Sequence, residues 1–152
     1  ILNALNYIYL GDNGVYIISI FFGFLLIKFY ELNPEVSPYF IATLLSYPSF
    51  ELLFSIIRKI KKKKSALEPD TDHLHQLLFL ILKRKNKKNY LSNVSTGLLI
   101  NFYNVFIVYM ACQNIYSTKY QLSLIILNIF IYNLLYLILF KFSKNEKNFG
   151  YR

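Results

Sequence analysis

Carboxylates are scarce in this chain of 152 residues, where eight Asp and Glu stand against 17 Lys and Arg. So few acidic groups leave little from which to build a multi-ligand metal centre or to align a nucleophile for phosphoryl transfer within the chain alone. Cysteine occurs once, at Cys112 in an apolar run. An internal disulfide or a cysteine metal site is excluded, and the residue reads as a small packing group. Charged residues of both signs make up 16% of the chain against 55% hydrophobic, with a mean hydropathy of +0.37. That is too little polar surface for a soluble domain of this size. The two histidines, His73 and His75, lie in one short stretch.

What the chain does have is long apolar runs and a concentrated block of positive charge. Four runs are candidate membrane spans: Val15 to Tyr30, Pro38 to Ile57, Asn93 to Cys112 and Leu122 to Phe142. The first covers only about 24 Å at the helical rise unless Lys28 snorkels outward, whereas the second covers about 30 Å, the thickness of the hydrocarbon core. Many of their residues are β-branched or aromatic, yet in lipid only helices satisfy the backbone of such runs. The expected fold is therefore all-α, a polytopic integral membrane protein of four helices in a single membrane domain.

Of the 17 cations, 11 lie between Arg58 and Lys88 and four more in the tail at Lys141, Lys144, Lys147 and Arg152. The loops Glu31 to Ser37 and Gln113 to Lys119 carry one between them. By the positive-inside rule the loop 58–92, the start of the chain and its end share the cytoplasmic face. The net charge of +9 could suit nucleic acid, but the basic residues flank apolar segments without forming an interleaved aromatic face, so anionic headgroups are the expected counterions. Within the basic loop the run Leu77 to Leu82 is too short to span, and it predicts a helix in the interface or dipping into the bundle, with Asp70 or Asp72 as N-cap. The chain opens on Ile1 in the middle of an apolar pattern with no charged leader, as a piece of a longer protein would.

Two polar clusters could carry chemistry. Leu10-Gly11-Asp12-Asn13-Gly14 sets a carboxylate between glycines at the mouth of a span. It suits a hard cation shared with phosphate oxygens, and equally a tight turn in which Asp12 caps a helix. Asp70, Asp72, His73 and His75 form the second cluster. On a helix the two rings of His-x-His diverge and His73 shares a face with Gln76, whereas on extended backbone the two rings share a side. Phosphate binding beside a helix N-terminus is one reading, and a solvated loop is the other. Glu51, inside the second span and three residues after Pro48, has Arg58 as a candidate partner, and a structural role is favoured over a catalytic one. Pro48 is a candidate kink, and Asn101, Asn104, Asn128 and Asn133 are candidate interhelical hydrogen-bond partners.

Three blocks in order, Asn6-Tyr7-Ile8-Tyr9-Leu10-Gly11-Asp12-Asn13-Gly14, Asn33-Pro34-Glu35-Val36-Ser37-Pro38 with Tyr47-Pro48-Ser49-Phe50-Glu51, and Pro69-Asp70-Thr71-Asp72-His73-Leu74-His75-Gln76-Leu77-Leu78, resemble the C-terminal half of the polyprenyl-phosphate N-acetylhexosamine-1-phosphate transferases. The resemblance implies transfer of a sugar 1-phosphate from a UDP-N-acetylamino sugar to a membrane polyprenyl phosphate, with release of UMP, at the cytoplasmic face of the inner membrane. It implies that Asp12 binds Mg²⁺, that His73 and His75 are catalytic and contact the nucleotide-sugar, and that Asp70 and Gln76 belong to the substrate-binding block. Thr71 and Gln76 stand where many members carry Arg and a third His, and the family's paired aspartates belong to an upstream half that would be the partner of this one. The alternative is a non-catalytic membrane subunit packing with a partner. Homo-oligomerisation stays open, and a transporter using Glu51 is the weaker third reading.

Overall fold

The computed structural model describes residues 11–63, 65, 72–85 and 89–147. Every regular element among them is an α-helix: α1 Gly11–Leu32, α2 Pro38–Leu44, α3 Ser46–Lys61, α4 Leu74–Lys85, α5 Asn89–Cys112 and α6 Thr118–Lys147. Three of these, α1, α5 and α6, are long and apolar enough to cross a membrane, and α2 with α3 makes a fourth if the bent pair counts as one span. Large apolar side chains such as Ile20, Phe102 and Leu137 remain exposed along them, as a lipid solvent permits. The chain thus has the build of a multi-pass membrane protein.

The second expected span is not continuous. It breaks at Leu45, and α2 and α3 meet at 70°. The cause sits three residues on, where Pro48 has no N–H to offer the Leu44 carbonyl and its ring would collide with it. Leu45 takes φ −93° and ψ 7°, donates to the Ile41 carbonyl at 3.2 Å and accepts from Ser49 at 3.1 Å, so α2 closes and α3 opens at one residue. The kink falls before the proline because the lost hydrogen bond belongs to the preceding turn.

Short loops join the helices at one end. Ser37 caps α2, accepting from the Tyr39 amide at 3.3 Å, and Pro38 follows at the first helical position, where a missing N–H costs nothing. The Ser37 amide donates to the Ile115 carbonyl at 3.0 Å and its hydroxyl lies 3.1 Å from that of Thr118, which ties the two loops together over Val36, Phe40, Ala111 and Leu124. Ser117 caps α6 through the Tyr120 amide at 3.3 Å, so this helix starts four residues before the apolar run.

Polar side chains hold the bundle where apolar burial against lipid-like surroundings cannot. Asn128 is buried, donates to Ser46 Oγ at 2.8 Å and accepts from the Tyr103 hydroxyl, linking α6 to α3 and α5. Gln121 donates to the Ala111 and Asn114 carbonyls at 2.8 and 2.9 Å. Asn133 serves its own helix, donating to Ile129 at 3.0 Å, and Asn101 is exposed. Cys112 is exposed as well, at the last turn of α5, so the expectation of a packed cysteine fails.

Helix α4 is twice as long as the apolar run that predicted it, and it packs against α5 and α6 with Leu74 and Leu77 buried. Leu74 joins Phe50 and Tyr132 in a second cluster in which the Phe54 and Tyr132 rings stack at 4.9 Å. This docking brings the histidine block against α3.

Candidate functional site

Backbone geometry around His73 decides what the histidine pair can do. Because α4 begins at Leu74, His73 stands just outside the helix in the N-cap place, and Asp72 lies one residue further out, in an ion pair with Lys62. The expected aspartate cap is displaced by a cap of another kind. Gln76, at the third helical position, accepts from the His73 amide at 3.3 Å, as the reciprocal arm of a capping box does. With His73 outside the helix and His75 on its first turn, the two rings stack, centroids 5.5 Å apart and planes 16° apart. A fully helical His-x-His would have held them apart.

The orphan amides at the head of α4 meet a carboxylate from another helix. Glu51 of α3 accepts from the Leu74 amide through Oε1 at 3.0 Å and lies 2.8 Å from His73 Nδ1 through Oε2. Tyr47, one turn earlier, donates to Oε1 at 3.3 Å. At 8% exposure such a charge is costly unless paired, and here donors from three residues and the positive end of α4 meet it. Arg58, the partner expected for Glu51, packs its guanidinium 5.1 Å from the centre of the Tyr136 ring.

His75 lies beside a cavity of about 340 Å³ whose wall includes Gln76 and Phe79 of α4 and Asn89, Asn93 and Thr96 of α5. Desolvation by its neighbours pushes the His75 imidazole below its ordinary value, Glu51 pulls it back up, and the His73 ring adds a smaller push down. The side chain is still exposed, so solvent screens these effects. His75 is therefore a neutral hydrogen-bonding group near pH 7.

The remaining expected site residues are only partly in view. Asp12 falls in the first turn of α1, after Gly11 at φ +67°, a conformation that glycine adopts without strain. The Asp12 side chain lies outside the described part of the structure, and so does the whole of Asp70. Among the described residues no group of three or more His, Cys, Asp and Glu side chains could hold a metal ion. A lone carboxylate such as Asp12 would supply one ligand of a Mg²⁺ ion, which takes most of its coordination from oxygens outside the protein. Glu51 is the residue whose place in the site the sequence reading missed. The signal was present, since Glu51 is the one ionisable side chain buried within the second apolar run. For Asn89, Asn93 and Thr96 no local signal existed.

No family model and no solved structure matches this chain. The chain is similar to the undecaprenyl-phosphate alpha-N-acetylglucosaminyl 1-phosphate transferase of Thermotoga maritima, 26% identical over 114 residues that cover 69% of this chain and 36% of that protein. It thus spans about a third of the length of the transferase to which it bears this distant likeness.

Proposed function

We propose that this chain forms part of a polyprenyl-phosphate sugar-1-phosphate transferase acting at the cytoplasmic face of a membrane. The observation that carries the reading is the stacked His73 and His75 pair, held at the head of a docked helix between two basic runs. The distant likeness to a transferase of that class supports it. In such a reaction an oxygen of the lipid phosphate bonds to the phosphorus that carries the sugar, and the bond from that phosphorus to the UMP oxygen breaks. Two anions must therefore be brought together, and cationic and hydrogen-bonding groups must take up the charge that shifts to the leaving phosphate.

His73 and His75 are the residues that would donate to the phosphates of a UDP-N-acetylamino sugar, with Asp70 and Gln76 completing the block. The lysines flanking α3 and α4 would draw the polyprenyl phosphate to the interface. Asp12 would hold Mg²⁺, which when bound supplies charge neutralisation on the phosphate oxygens. The Asp12→Asn variant keeps the size and removes the charge. In the complete gene product it is expected to lower UMP release at least about a hundredfold, whereas His73→Ala raises the KM for the nucleotide-sugar while the protein still inserts. Near-normal release by Asp12→Asn, with unchanged Mg²⁺ dependence, would leave Asp12 a helix cap and return the non-catalytic subunit to first place.

A further inference from the structure

We infer that Glu51 is a positioning residue for His73: from α3 it fixes which ring nitrogen carries the proton and holds the imidazole at the head of α4 with Nε2 presented to a ligand. The nature of that ligand, a phosphate-bearing nucleotide-sugar, rests on the transferase reading, and the rest stands on geometry. An ionised carboxylate only accepts, so Nδ1 at 2.8 Å from Oε2 must be the donor. A neutral His73 is then the Nδ1–H tautomer with a lone pair at Nε2, and a charged one donates from Nε2. His75 covers one face of the ring and Glu51 occupies the Nδ1 edge, while a quarter of the side chain stays exposed, so the Nε2 edge is the one proposed to meet the ligand.

The same carboxylate locks the ring to the scaffold. Its other oxygen takes the first amide of α4 at 3.0 Å and the Tyr47 hydroxyl at 3.3 Å, so α3, His73 and the head of α4 meet at one group. The bend at Leu45 sets the direction of α3 and hence where this carboxylate lies. Other titratable or charged groups at this junction are Tyr47 and Arg58 on α3, Tyr132 and Tyr136 on α6, and His75 on α4.

Helix capping alone would explain the contact to Leu74 but not the contact to Nδ1, and an isosteric change separates the two. In Glu51→Gln the amide oxygen can still accept from Leu74 and Tyr47, which preserves the cap. The amide nitrogen is a donor and drives His73 to the Nε2–H tautomer. The test uses the complete gene product in nanodiscs with 15N-labelled histidine, read at alkaline pH where imidazoles are neutral, alongside steady-state UMP release. Wild type is expected to show His73 protonated at Nδ1 and Glu51→Gln at Nε2. The KM for the UDP-N-acetylamino sugar is expected to rise about tenfold in Glu51→Gln, with kcat held within about twofold, and Glu51→Asp should recover part of both effects. The same tautomer in wild type and Glu51→Gln overturns the proposal. Reversal of the tautomer with an unchanged KM overturns its ligand-presenting half. Reversal with no UMP release from any form, wild type included, supports the positioning of His73 and overturns the transferase reading.

Discussion

His73 and His75 are two positions apart and stack on one another, yet their surroundings differ. His73 has a carboxylate against Nδ1, whereas His75 is desolvated by its neighbours and has an amide-rich cavity beside it. For His75 the sign follows from the lowered folded-state value. The unfolded chain takes up a proton near pH 6.5 before the folded one does, so the stability contributed by the neutral ring is complete above that pH and is lost as the pH falls through the folded value. By NMR titration the His75 midpoint is expected below 6.5, and a midpoint above it would mean that the pull of Glu51 outweighs desolvation. The His-x-His block is legible in sequence, and so is the condition that its rings converge only on non-helical backbone. That the backbone satisfies this condition depends on where α4 starts, which the N-capping amide bond to Gln76 and the carboxylate of Glu51 decide together.

Helices set the next level of organisation, and two of them depart from their apolar runs for physical reasons. The run from Pro38 to Ile57 is uniform enough to look like one span, but the missing Pro48 amide ends the first piece at Leu44. The run from Leu77 to Leu82 looks interfacial, yet α4 docks against α5 and α6 with Leu74 and Leu77 buried, and Leu74 clusters with Phe50 of α3 and Tyr132 of α6. Asparagines on the spans then divide by partner. Asn128 bridges three helices, so Asn128→Ala is expected to lower unfolding stability by roughly 1 kcal/mol in bicelles, the scale measured for interhelical hydrogen bonds in membranes. Asn133→Ala removes only a bond within α6 and is expected to cost less than about 0.5 kcal/mol. Equal losses at the two positions would show that Asn128 adds no bridging stability.

Orientation across the membrane belongs to the whole molecule. The hydrogen bond from Ser37 to Ile115 places the two loops with few cations at one end, as alternate connections of a four-span chain require. The basic segment between α3 and α5 is then expected at the cytoplasmic face by charge, which impermeant thiol labelling of intact cells checks. Cys112 is exposed and must first be replaced by alanine. A cysteine at Asn33 is expected to react from outside and one at Lys63 only after permeabilisation, and the reverse pattern would invert the topology. At this scale composition and the lengths of the apolar runs by themselves determined that the chain is helical and built to cross a membrane, because a desolvated backbone obeys rules that need only the local sequence. Tertiary structure alone decided that Glu51 meets His73 across 22 positions and that Asn89, Asn93 and Thr96 of α5 line a cavity with His75, since such meetings depend on the angle at which helices break and dock. No local pattern encodes that angle, which is set by one absent amide at Pro48 and by the packing of Leu74 beneath α6.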